Sequence, residues 1–210
     1  MAGSGKTDIS DYGVRAFRSR HPQIRRLKRT HSPSFHGFRV WPSAWLLMDF
    51  LKRQGIRRGI RIMEVGSGWG LVGIYCAKTY GASVTCVDID SEVFPYLRLH
   101  ALTNSVEITT MTRGFDELTD GELQGFDVVV GSDICFWNDM SHSLKRLILR
   151  ALRADVRLVL IADPGRSPFE QLGVYFAKSF NGKMVRWAIT HPYPIQGRIL
   201  KLGSLIYQGT

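Results

Sequence analysis

The 210-residue sequence predicts an α/β fold: a doubly wound, mostly parallel, seven-stranded sheet in a three-layer αβα arrangement, finished by a C-terminal antiparallel hairpin. Three observations predict it. Apolar runs of strand length alternate with longer segments of helical period. The first strong run, Ile60-Arg61-Ile62-Met63-Glu64-Val65, passes through a glycine-rich turn, Gly66-Ser67-Gly68-Trp69-Gly70, into a helix. The last two strand-like segments have no helix between them, so they must pair antiparallel.

Taken in order, residues 1–20 read as weakly structured. After Pro22, residues 23–29 read as a short basic helix with Ile24 and Leu27 inward, stopped by Ser32-Pro33. Phe35 to Val40 alternates weakly, as a short strand does. A helix follows from Trp41, with Pro42 in its first turn, Trp45, Met48 or Asp49, and Leu51 at helical spacing, and Gly55 at its end. Strands are expected over 60–65, 83–87, 106–111, 126–131 and 156–161. Helices are expected over 70–80, 91–103, 139–153 and 167–180. Such alternation implies parallel strands covered on both faces and joined by right-handed crossovers. Residues 183–190 and 198–207 read as the closing strands, and His191-Pro192-Tyr193-Pro194 between them excludes helix.

Hydrophobic content of 44% and charged content of 22% are ordinary for a globular chain. No apolar run approaches the ~20 residues of a membrane span, and no secretory signal is legible. Cys76, Cys86 and Cys135 sit in apolar stretches without metal-ligand spacing, so they read as reduced packing residues. A cytoplasmic protein with no membrane partner and no metal is the expectation. The net charge of +10 is uneven: residues 1–61 hold 14 Lys and Arg against 3 acids, whereas residues 62–210 hold 14 against 15. The chain therefore divides into a basic extension, residues 1–35, and a catalytic-type domain, residues 36–210. The cluster Arg15, Arg18, Arg20, Arg25, Arg26, Lys28, Arg29 reads either as a face for an acidic partner or nucleic-acid phosphate, or as a solvated arm.

The chemistry belongs at the C-terminal ends of the strands, where open α/β sheets bind ligands. Glycines admit positive φ and close approach of a ligand, and the following helix start favours anionic or polar groups. Glu64-x-Gly66-x-Gly68-x-Gly70 fits the turn of an S-adenosylmethionine fold. Gly68-x-Gly70-x-x-Gly73 also matches the dinucleotide pattern, but lies further from the strand than that pattern requires. Asp88, about 20 residues beyond the glycines, suits a ribose or caps a helix; Asp90 suits the cap better. Phe115 and Asp116 either face an adenine or lie in a surface loop. Asp133 ends the fourth strand in the central crevice, or caps the next helix. Asp163-Pro164-Gly165 makes a turn, or Asp163 and Arg166 rim the substrate site.

On these residues the chain resembles the seven-strand, Rossmann-like S-adenosylmethionine-dependent methyltransferases, over roughly residues 38–208. More narrowly it is similar to the family-16 protein-lysine methyltransferase group, through Val40-Trp41-Pro42-Ser43, Glu64-Val65-Gly66-Ser67-Gly68-Trp69-Gly70-Leu71-Val72-Gly73 and Gly131-Ser132-Asp133-Ile134. The Ala162-Asp163-Pro164-Gly165-Arg166 turn is similar to that of members near the electron-transfer-flavoprotein lysine methyltransferases. The resemblance implies transfer of a methyl group from S-adenosylmethionine, with S-adenosylhomocysteine as product, to a lysine nitrogen of a protein. With the residue reading it gives a cofactor site of Trp41, Glu64, Gly66, Ser67, Gly68, Trp69, Gly70, Asp88, Ile89, Phe115 and Ser132. Asp133 and Phe136 would lie at the acceptor. Trp41 packs on the cofactor by resemblance, and by its residues alone is equally a core aromatic. The family's Asp-x-x-Tyr ends here in Phe136. The competing functions are an RNA methyltransferase holding phosphates on the basic arm, a small-molecule methyltransferase, a nicotinamide-dependent oxidoreductase, and a non-catalytic cofactor-binding protein.

Overall fold

The computed structural model describes residues 7–34 and 36–204. Its elements in chain order are β1 (Asp8–Asp11), β2 (Val14–Phe17), α1 (Pro22–Leu27), α2 (Ser43–Gln54), β3 (Arg61–Val65), α3 (Leu71–Tyr80), β4 (Ser83–Asp88), α4 (Phe94–Thr103), β5 (Thr109–Thr112), α5 (Asp120–Leu123), β6 (Val128–Ser132), α6 (Asn138–Arg153), β7 (Leu158–Asp163), α7 (Ser167–Phe180), β8 (Lys183–Ile189) and β9 (Ile195–Gly203). The main sheet runs β5-β4-β3-β6-β7-β9-β8. Its first five strands are parallel, and β9 lies antiparallel between β7 and β8.

The alternation of side chains along each strand builds two cores. Ile62, Val84, Val128 and Leu160 point to one face and meet α2, α3 and α4. Met63, Val87, Val129 and Ile161 point to the other and meet α5, α6 and α7. The expected three layers and the C-terminal hairpin are therefore both present. No described helix is long and apolar enough to cross a membrane.

Four expectations need correction. The N-terminus is not weakly structured across residues 8–17, which form the hairpin β1–β2. Val14, Ala16 and Phe17 are buried in the first core, and so is Ile24 of α1. Residues 36–40 form turns rather than a strand; Phe35 lies outside the described residues. The strand expected from 106 begins at Thr109, because Val106 and Ile108 pack on the core from a loop. The last strand starts at Ile195, ahead of the expected 198, and residues 205–207 lie outside the described residues. The short helix α5, with a Thr119–Glu122 capping box, was not expected.

Candidate functional site

The helix after β3 covers one face of the sheet and the helix after β6 covers the other, so the crevice opens between these two neighbouring strands. A cavity of about 510 Å³ lies there. The residues expected at the cofactor and the acceptor all border it: Trp41, Glu64, Gly66, Ser67, Gly68, Trp69, Gly70, Asp88, Ile89, Phe115, Ser132, Asp133 and Phe136.

The floor is the turn from β3 to α3. Gly66, Gly68 and Gly70 hold φ of 58°, 50° and 70°, the left-handed region that glycine enters without penalty. A Cβ on Gly68 would meet nothing within 4 Å, so its position is kept open by conformation rather than by packing. Asp88 at the end of β4 accepts the Gly68 N–H on Oδ2 at 2.9 Å and the Asp90 N–H on Oδ1 at 3.1 Å. Asp90 caps the following 3-10 turn through the Glu92 N–H, as its position suggested. Burial pushes the Asp88 carboxyl above its ordinary pKa, against the pull of the Gly68 N–H. Glu64 is more deeply buried. Its Oε2 accepts the Gly73 N–H at 2.8 Å and faces the Cys86 thiol at 3.3 Å, and burial pushes its pKa up to about 7. The Ser67 hydroxyl is buried with no hydrogen-bond partner among the described residues. A buried orphan hydroxyl above a glycine turn calls for a polar ligand atom.

The acceptor end is built on Asp133. This residue is 4% exposed and holds φ of 56°, unusual outside glycine. It does not cap α6. Its Oδ2 accepts the Ser43 N–H at the start of α2 at 2.8 Å, and its Oδ1 meets the Arg166 guanidinium at 2.9 Å. Arg166 also holds buried Asp163 at 2.6 Å, and lies over the Phe136 ring at 4.1 Å. Asp163 and Arg166 thus stand behind the site rather than on its rim. The other side of Phe136 is engaged by His36, stacked at 4.1 Å and 11°. Trp41 meets the edge of Phe136, donates its indole N–H to the His36 carbonyl at 2.7 Å, and carries Arg39 over its ring at 3.9 Å.

Two residues behave differently from their sequence reading. Trp69 borders the cavity, but its indole stacks on Tyr96 and His100 and donates to the Gly37 carbonyl at 2.8 Å, so it anchors the segment 36–41. Asp116 is held by Arg146 through two 2.7 Å hydrogen bonds, and that guanidinium draws its pKa down to about 2. His36 and Arg39 were missed. Their only signal was the aromatic density of residues 35–41, which the weak alternation disguised as a strand.

Residues 24–177 match a family model described as lysine methyltransferase. The chain is 34% identical to the calmodulin-lysine N-methyltransferase of Arabidopsis thaliana, over 54% of this chain and 40% of that one. It therefore spans about two fifths of that relative's length. Among solved structures it resembles a methyltransferase from Pyrococcus furiosus, with a TM-score of 0.60 and 17% identity, covering 83% of this chain and 90% of that one. It also resembles the tRNA (uracil-54, C5)-methyltransferase of Pyrococcus abyssi in complex with S-adenosyl-L-homocysteine, with a TM-score of 0.59 and 19% identity, covering 94% of this chain and 43% of that one. At such identities the likeness to the solved structures is one of fold.

Proposed function

Because the chain belongs to the lysine methyltransferase family, we propose that it transfers a methyl group from S-adenosylmethionine to a lysine side chain of a protein. The observation that carries this reading is the buried Ser67 hydroxyl, without a partner among the described residues, on a glycine turn whose neighbouring strand ends in Asp88. Such a floor suits a ligand that is polar at one end and carries a ribose. Ser67, Gly68 and Glu64 would hold the amino-acid end, and Asp88 the ribose. Ile89 and Phe115 would flank the base.

When bound, the cofactor supplies an activated methyl on a sulfonium. The protein's task is then to position and desolvate the acceptor nitrogen. Oδ2 of Asp133 accepts one hydrogen bond and Oδ1 faces the Arg166 guanidinium, and each oxygen keeps a lone pair, so Asp133 can orient an incoming N–H. Its charge is balanced by Arg166, which makes it an acceptor that positions rather than a base. Phe136 and Trp137 wall the approach with apolar surface, which favours the neutral form of an amine whose ordinary pKa is about 10.4.

Calorimetry with S-adenosylhomocysteine tests the cofactor half. Binding by the native chain is expected, weakened by about 1.5–3 kcal/mol in Asp88→Ala, the range for a hydrogen bond to a charged group. Labelled-methyl transfer into a lysate resolved into protein, RNA and small-molecule fractions tests the acceptor half. Label confined to RNA or small molecules would overturn the lysine assignment.

A further inference from the structure

Elsewhere in the chain, several arginines have carboxylate partners among the described residues. Arg146 holds Asp116, Arg153 holds Asp120, Arg53 holds Asp49 and Arg198 holds Glu170. The face formed by the end of β2 and by α1 differs in density: residues 18–29 hold six Lys and Arg and no acid. Arg18, Arg20, Arg25, Arg26, Lys28 and Arg29 are all exposed, and none is in an ion pair among the described residues. Of the two carboxylates that precede them, Asp8 is taken by Arg15 and His21, and Asp11 accepts the Tyr12 N–H at 2.8 Å.

The backbone that carries these cations is fastened on both sides. β2 is fastened to α4 by the Arg15 main chain, which donates to and accepts from the Asn104 side chain at 2.8 Å each, and by the Phe17 N–H on His100. After α1 the chain is pinned again. Ser34 donates its N–H and hydroxyl to Asp90, and the Ser32 N–H reaches Glu92 at 3.1 Å. The next residues are His36 to Trp41, at the mouth of the cavity, where Arg39 extends the positive charge to the entrance. A flexible arm can spread its charges apart; a pinned face of six like charges keeps their repulsion until a counter-charge arrives.

We infer that this face docks an acidic protein segment and delivers a lysine lying near it to the aromatic mouth. The inference rests on the lysine methyltransferase reading and adds the class of substrate. Nucleic acid is the other polyanion, and the mouth disfavours it. Base recognition needs free aromatic faces. Here Phe136 lies between His36 and Arg166 and Arg39 covers Trp41, which leaves Trp137, 43% exposed, as the one lining aromatic open to water among the described residues. A slim alkyl amine passes such a wall more readily than a planar base.

The probe is a fluorescein-labelled random copolymer of glutamate and lysine, rich in glutamate, with polyuridylate RNA as the competing polyanion. Binding to the full chain is read by anisotropy at several salt concentrations, and methyl transfer to the copolymer separately. Arg25→Glu/Arg26→Glu/Arg29→Glu changes only exposed side chains, and Arg57→Glu/Lys178→Glu reverses charge elsewhere as a control. The triple variant is expected to lose about tenfold or more in copolymer affinity and to show a shallower salt dependence. KM for transfer should rise with kcat unchanged, and S-adenosylhomocysteine affinity should stay as in the native chain. Equal copolymer binding by the native chain and the triple variant overturns the inference. So does tighter, equally variant-sensitive binding of polyuridylate. Failure of the native chain to bind S-adenosylhomocysteine would instead remove the methyltransferase reading, while the anisotropy measurement would still decide the face.

Discussion

Arg166 holds two buried carboxylates with one guanidinium, and this shapes the acceptor end of the site. The side chains of Asp133 and Asp163 are 1% and 0% exposed. Without the arginine, both would be left as uncompensated charges away from water. Burial already pushes the Asp163 carboxyl above its ordinary pKa, and Arg166 opposes that shift. Removing one member of a buried ionic group costs about 3–5 kcal/mol. Arg166→Met should lose that much in urea unfolding, and Arg166→Lys less, since an ammonium keeps the charge but not the fork that spans both partners. A loss under about 1 kcal/mol in Arg166→Met would show that the two carboxylates are held by something else. The same residues show where sequence reading stops. Glu64, the glycine turn and Asp88 were legible because strand, turn and helix are contiguous and each residue's duty is local. Asp133 was legible as a position at the end of a strand. Its partners were not, since Arg166 lies on the next crossover and Ser43 is 90 residues earlier in the chain.

At the scale of elements, the crossovers were readable and the first hairpin was not. Strands buried on both faces declare themselves as apolar runs, as Leu158-Val159-Leu160-Ile161 does. Asp8-Ile9-Ser10-Asp11 carries no such run, and its partner strand is ordered by α4. His100 is the clearest link. Its Nε2 accepts the Phe17 N–H at 3.0 Å, which leaves Nδ1 to donate to the Tyr96 carbonyl at 2.7 Å. The ring must therefore be neutral, and burial holds its pKa down to about 4 from an ordinary 6.5. The unfolded chain binds the proton more readily than the folded one throughout that interval. The contribution to stability is complete above pH 6.5 and is lost as pH falls through about 4. Its size follows from 1.36 kcal/mol per pKa unit, about 3 kcal/mol in all. Stability measured by urea unfolding from pH 7 to pH 4 should fall by this amount more in the native chain than in His100→Gln. Parallel pH dependences in the two proteins would mean that the imidazole is not held neutral by the hairpin.

For the molecule as a whole, the uneven charge was visible from composition alone, but what it implied for the N-terminus was not. Composition cannot separate a self-repelling arm from a charged face laid over a core, because both display the same cations to water. The difference lies in a few apolar residues between the charges: Val14, Ala16, Phe17 and Ile24, each at most 3% exposed. Deleting residues 1–20 distinguishes the two by sign. The deleted segment carries four Lys and Arg against two Asp, so losing it lowers the net charge by two. An arm would take only repulsion with it, and stability would hold or rise. A docked hairpin takes Val14, Ala16 and Phe17 from the core and exposes the α4 surface beneath them. Burying a valine or phenylalanine side chain is worth about 1.5–3 kcal/mol each, so the truncated chain should lose about 3–6 kcal/mol and melt at a lower temperature. Low salt sharpens the contrast, since repulsion among the remaining cations is then least screened and any relief from the deletion is greatest. A melting temperature that stays level or climbs after the deletion, at low salt, would return the segment to the status of an arm. It would also remove the rigid support on which docking by the basic face depends.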